Sequence, residues 1–179
     1  MDIKDYVPKV RGLINRLNTV EDDHLHMAMG MVGEIGEVVD ILKKSFAYGK
    51  PLDKLKVLEE LGDFTFYTVG LANMLGEGFE DFEVEDWGLR TSMALGTLVF
   101  SSGTVLMVVS EGEAAELRGE VMREALCVVH TLALDFGSSL DEIMDLNIKK
   151  LEARYPDLRF DVDRANNRDV EAEAKAMQQ

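Results

Sequence analysis

Residues 29–44, MGMVGEIGEVVDILKK, followed by residues 59–72, EELGDFTFYTVGLA, decide the fold of this chain. Apolar residues recur there at three and four positions: Met27, Met31, Ile35, Val38, Val39 and Leu42 in and before the first run, Leu58, Leu61, Phe64, Tyr67, Leu71 and Leu75 around the second. That period lays an apolar stripe along an α-helix and does not match the strict alternation of a half-buried strand. Working outward, proline occurs only at positions 8, 51 and 156, and its absence between the last two favours long helices, because proline is expelled from helix interiors. The pattern predicts helices over 3–18, 22–47, 52–75, 89–110, 113–136 and 139–154. Gly49-Lys50-Pro51 stops one helix and starts the next, Gly76-Glu77-Gly78 ends the third, and Ser139 with Glu142 has capping-box spacing at the start of the last. The expected fold is all-α: a helical bundle built on an antiparallel helix hairpin, with an additional helix pair over 89–136. With 179 residues and 46% hydrophobic content, one domain over 1–160 is expected. Residues 161–179 are polar and lack periodicity, so they read as a C-terminal tail that frays or packs loosely.

The formal net charge of −15 argues against attraction to nucleic acid or to an anionic membrane, since both need a basic face. A polyanionic ligand would need a metal cation or a local basic cluster to offset the repulsion. Cys127, the one cysteine, sits in the apolar run ALCVVHTLAL and reads as a buried thiol; a single cysteine suits a reducing cytoplasm. The N-terminal MDIKDYVPKVRGL lacks the apolar core of a secretory signal, so a cytoplasmic protein is expected. Residues 91–110, TSMALGTLVFSSGTVLMVVS, run 20 residues without a charge, which is the length of a membrane span. Interrupting small polar residues, the lack of a Trp or Tyr belt and acids at both ends favour a helix buried all round, in the bundle or at a subunit interface. A homodimer or higher homo-oligomer is the expected assembly, because a surface helix this apolar would leave a large exposed patch.

Four acids carry the chemistry. Glu34 and Glu37 are three apart on one helix, and Glu60 and Asp63 are three apart on the next, so each pair projects from one helix face. If the helices fold back about Gly49 and Lys50, Glu37 faces Asp63, Asp40 faces Glu60 and Glu34 lies a turn away. Such a cluster repels itself unless some acids protonate or a divalent cation neutralises them. Oxygen ligands without His or Cys select hard metals, hence Mg²⁺, with Mn²⁺ as a possible substitute. Metal-held water offers a nucleophile, and a carboxylate left free can take its proton. Gly30, Gly33 and Gly36 accompany the acids at three-residue spacing; close helix approach would explain their helix-destabilising presence.

These residues resemble a known family. The E-x-x-E of the first run, the E-x-x-D of the second and the 22 residues between Glu37 and Glu60 look like the signature of MazG-like all-alpha nucleotide pyrophosphohydrolases. A second block, NIKKLEARYPDLRF at 147–160, is similar to the family's closing N-x-x-K-L-x-x-R-Y-P segment. The resemblance covers 22–75 and 139–160; the pair at 89–136 is longer than the minimal family needs. It implies Mg²⁺-dependent hydrolysis of a nucleoside triphosphate between the α and β phosphates, giving a monophosphate and pyrophosphate, with Glu34, Glu37, Glu60 and Asp63 as metal-holding catalytic acids. Lys43, Lys150 and Arg154 would meet phosphate oxygens, Arg154 two at once, and Asn147 shares a helix face with Lys150. Tyr155 either stacks on a base or caps the core. Lys44 and Lys149 read as solvated surface, and His24 and His26 as core or surface residues.

Other readings compete. A carboxylate-bridged di-iron bundle wants E-x-x-H from two helices, whereas Glu21 with His24 and Asp23 with His26 sit together at one helix start. A non-catalytic helical interaction module needs no glycines beside paired acids. Dimeric all-alpha dUTPases share the acid motifs and have extra helices; phosphoribosyl-ATP pyrophosphohydrolase is a more distant branch. YTVGLANMLGEGFEDF at 67–82 also echoes VVHTLALDFGSSLDEI at an offset of 61, either as a degenerate duplication or as two core helices that end alike.

Overall fold

Short polar side chains start six of the helices: Asp2, Thr19, Asp53, Ser139, Asp161 and Asp169 each accept a hydrogen bond from a backbone N–H two or three residues on. Each satisfies a donor that the helix itself leaves orphaned. At Ser139 the expected capping box is complete, with the Glu142 side chain returning a bond to the Ser139 backbone. The computed structural model describes residues 1–179 apart from 80, 115, 116, 118 and 179. Among the described residues all regular structure is helical: α1 (Ile3–Leu13), α2 (Val20–Tyr48), α3 (Lys54–Met74), α4 (Thr91–Ser110), α5 (Gly119–Asp135), α6 (Leu140–Arg154), α7 (Val162–Asn166) and α8 (Val170–Ala176).

The chain is all-α, as its periodicity predicts. α2 packs against α3 and α4, and α5 packs against α3 and α4, which closes a ring of four helices. α6 covers α3 and α5, and α1 covers α3 and α6. The core between them draws on every one of these helices, with Tyr6, Met31, Phe64, Leu98, Leu126 and Ile143 among its fully enclosed side chains. α1 is shorter than expected, because Asp23 in the first turn of α2 captures the Leu17 amide at 2.7 Å and the Arg16 guanidinium at 2.8 Å, holding 14–19 off the helical path. The predicted start of the fifth helix at 113 falls partly on residues 115, 116 and 118, outside the described residues; the described helix begins at Gly119.

Two expectations need correction. The segment 161–179, read as a loose tail, forms α7 and α8, and α8 docks on α6 with Glu173 and Met177 buried. The periodicity is too short there to register as a helix signal. The second concerns α4, read as buried all round in the bundle or at a subunit interface, of which the bundle of this chain supplies only part. Only one face of it is buried in this chain, at Ala94, Leu98, Ser102, Val105 and Val109, while Met93, Phe100 and Met107 are exposed. Among the described residues α4 is one helix long and apolar enough to cross a membrane by length and composition.

The echo between α3 and α5 has a local cause. Gly76 and Gly137 both adopt positive φ, 78° and 82°, and the following amide reaches back to a carbonyl five residues earlier, Glu77 to Ala72 at 2.9 Å and Ser138 to Ala133 at 3.1 Å. Both helices therefore close in the same Schellman manner, which calls for glycine at the same place.

Candidate active site

Three close contacts fix how α2 meets α3. A Cβ on Gly30 would lie 2.3 Å from the Tyr67 ring, a Cβ on Gly70 would lie 2.9 Å from the Met27 sulfur, and Glu34 approaches Asp63. The two glycines let side chains of the opposite helix press onto backbone. They also set the register one turn away from the expected one. Glu34, not Glu37, stands opposite Asp63, and the last turn of α2 projects past the start of α3, which leaves Phe46 94% exposed and Tyr48 exposed as well.

Carboxylate oxygens of Glu34, Glu60 and Asp63 lie within 4.8 Å of one another. Glu37 is exposed and stands outside that group. Asp40, expected opposite Glu60, instead binds Lys43 at 2.5 Å and pairs with Lys44, and Lys43 is thereby held on the exposed face of α2. Gly33 and Gly36 meet nothing within 4 Å, so close approach explains Gly30 and not these two.

α6 brings the cations. Lys150, only 2% exposed, pairs with Asp63 and reaches Glu59 at 3.4 Å. Asn147 donates its amide to Asp63 at 2.7 Å and accepts from the Tyr6 hydroxyl at 2.7 Å, so α1 fixes which way that amide points. Close approach of α6 depends on Gly62, whose Cβ would lie 3.2 Å from the Asn147 Cβ. On the other side Lys56 holds Glu59 and Glu60, both at 2.9 Å. Lys149 is exposed, as expected.

The charges do not balance locally. Burial pushes the Glu34 carboxyl up to about 8, and the charges of Asp63 and Glu60 push the same way against Lys150. Burial raises Glu60 too, with Lys56 opposing. Burial, then the charges of Glu34 and Asp63, push the Tyr67 hydroxyl up to about 12. A site in which Glu34 and Glu60 resist ionising is one that a divalent cation stabilises, and an all-oxygen donor set fits a hard cation such as Mg²⁺.

The acids open onto a cavity of about 390 Å³ whose wall includes Glu34, Asp63, Lys150 and Arg154 together with Phe66, Tyr67, Tyr155 and Phe160. Tyr155 is mostly core, its ring 5.9 Å from that of Phe160, with one edge on the cavity. His26 also lines it, edge-on to Tyr67 at 6.0 Å, and its Nδ1 is buried without a partner among the described residues, as is His24 Nε2. Arg154 does not point free into the cavity. Its guanidinium is held by Glu173 through Nε at 2.8 Å and Nη2 at 2.7 Å.

Sequence reasoning missed Glu59, Lys56, Tyr6, Arg168 and Glu173. Lys56 and Glu59 carry a signal, an i, i+3 pair one turn ahead of Asp63; the other three come from distant segments and carry none. Compared with known proteins, the chain matches no family model, no curated protein and no solved structure.

Proposed function

We propose that this chain is a Mg²⁺-dependent nucleoside triphosphate pyrophosphohydrolase, cleaving between the α and β phosphates to give a nucleoside monophosphate and pyrophosphate. The observation that carries the reading is the convergence of Glu34, Glu60 and Asp63, two of which, Glu34 and Asp63, line a cavity whose wall also presents Lys150 and Arg154. Acids alone would repel a polyphosphate; acids that hold a cation beside fixed guanidinium and ammonium groups attract one. The choice of reaction rests on the resemblance of the two acid runs and of the 147–160 block to MazG-like enzymes.

In this reading Glu34, Glu60 and Asp63 hold Mg²⁺ or Mn²⁺, and Glu37, one turn from Glu34 and without an ion pair among the described residues, is the candidate fourth acid. When bound, the cation supplies charge neutralisation for phosphate oxygens and acidifies the attacking water. Lys150 and Arg154 orient the polyphosphate, Asn147 holds Asp63 in place, and a carboxylate not engaged by the cation accepts the proton of the water. The aromatic wall of Phe66, Tyr67 and Tyr155 offers a nucleobase its apolar face. Lys43, tied to Asp40, is left out of the site. A second reading, a dimeric all-alpha dUTPase-type enzyme, draws on the α4–α5 pair that completes the ring of helices. Both readings take the chain as a cytoplasmic homodimer that buries the exposed α4 face.

The test is a panel of nucleoside triphosphates with Mg²⁺, read by pyrophosphate release and product mass. Pyrophosphate and monophosphate from at least one triphosphate are expected. Orthophosphate and diphosphate as first products would overturn the assignment.

A further inference from the structure

Among the described residues, one buried carboxylate lies outside the acid cluster and on two arginines at once. Glu173 is 3% exposed and accepts from Arg154 at 2.7 and 2.8 Å and from Arg168 at 2.7 Å, with a longer contact to Arg168 Nε at 3.4 Å. Burial alone would raise its pKa, but the hydrogen bonds from Arg154 and Arg168 prevail and hold the carboxyl down at about 2. It is an anion at every working pH. Both arginines line the same cavity as Glu34, Asp63 and Lys150. A forked pair of guanidiniums suits a phosphate as well as it suits a carboxylate.

The element that carries Glu173 is lightly fastened. α8 has seven residues, and Glu173 is its one buried member, with Met177 just beyond the helix as the other anchor; α7 buries nothing. Segments with so few enclosed contacts open locally at small cost. Glu173 itself stands behind the cavity wall, yet it engages two of the three lysine and arginine side chains on that wall, Arg154 and Arg168, and leaves Lys150 to the acids.

We infer that Arg154 and Arg168 form a second phosphate-binding position in the cavity, and that Glu173 occupies it until an incoming polyphosphate displaces α8. This rests on the triphosphate reading for its ligand and adds Arg168 as a binding residue and Glu173 as an internal competitor. Competition divides the apparent affinity by the fraction of molecules whose arginines are free.

The test titrates inorganic tripolyphosphate with Mg²⁺ into the intact protein by calorimetry and follows hydrogen exchange across residues 170–177. Expected are binding about tenfold tighter in Glu173→Gln, about tenfold weaker in Arg168→Gln, and faster exchange of α8 amides in the unaltered protein when ligand is added. Arg168 is half exposed, so its replacement leaves the fold intact even if Glu173→Gln loosens α8. Unchanged affinity in both variants, or α8 protection that does not respond to ligand, overturns the inference. Turnover is read separately: nucleotide hydrolysis with unchanged affinity in both variants sinks the anion position and its competitor and leaves the proposed reaction standing, whereas α8 release without pyrophosphate formation from any triphosphate sinks the proposed reaction and leaves the anion position standing.

Discussion

α2 and α3 meet around carboxylates, and α4 and α5 meet around aliphatic side chains, yet the two pairs close one ring. None of the described buried residues of α4 or α5 is charged. In α2 and α3, by contrast, Asp23 and Glu60 are buried, and Glu34 and Asp63 crowd beside Glu60. The apolar pair gains stability from every contact it makes. The acidic pair surrenders some of that gain to electrostatic repulsion, only part of which Lys56 and Lys150 offset. Unfavourable local electrostatics kept in a fold whose other half avoids them is what the proposed reaction would require of the acidic half.

The contrast is broken most directly at the acids. Glu34→Gln, Glu60→Gln and Asp63→Asn should each lower turnover about 100-fold or more, a barrier increase of roughly 2.7 kcal/mol, while melting without metal stays level or rises. Glu37→Gln should lose about tenfold or more if that acid joins when the cation binds, the scale seen for residues supporting a metal. Near-normal steady-state kinetics in two of the three central variants would remove the site.

Next in size are charges placed on the two sides of α4. Ser102 is fully buried, its hydroxyl bonded to the Leu98 carbonyl at 2.6 Å, and Gly103 beside it meets nothing within 4 Å. Ser102→Glu should cost about 4 kcal/mol or more of stability, read by chemical denaturation. Gly103→Glu should leave the fold intact and halve the solution mass to the 20.0 kDa of one chain, because it charges the face proposed for a second copy. Light scattering on the unaltered protein that already gives one chain in detergent-free buffer removes the dimer, and extraction only with detergent assigns α4 to a membrane.

A smaller effect separates the pairs by pH. Glu34 is raised from 4.5 to about 8 in the fold, so its proton is retained on folding, and the associated stability is present in full below about 4.5 and is lost as pH rises through about 8. The metal-free protein should therefore melt about 5 °C lower at pH 9 than at pH 5. Glu34→Gln should flatten that slope, and Mg²⁺ should reverse it; a scanning calorimetry profile with the same slope in the variant would show that α4–α5 and α2–α3 do not differ in this way.

The smallest effects come from three glycines of the same spacing. Gly30→Ala meets the Tyr67 ring and should cost about 1–3 kcal/mol. Gly33→Ala and Gly36→Ala meet nothing and should gain up to about 1 kcal/mol from helix propensity. A loss at Gly36 measured by thermal melting would reveal that another chain packs there.

What the chain order determined by itself is the local part. The 3.6-residue period, the capping box at Ser139 and the closing glycines place α2, α3, α4 and α6 to within a few residues, because each signal acts over one or two turns. The same spacing put Glu34 with Glu60 and Asp63, and Asn147 with Lys150, on usable faces. Register is different in kind. Which carboxylate stands opposite Asp63 depends on Tyr67 lying over Gly30 and Met27 over Gly70, contacts between residues about 40 positions apart that no short pattern encodes. The capture of Arg154 by Glu173, the seat of Tyr6 on Asn147 and the one-sided burial of α4 have the same origin. They follow from the packing of whole helices, where side-chain volume and the few sites of close approach decide the outcome.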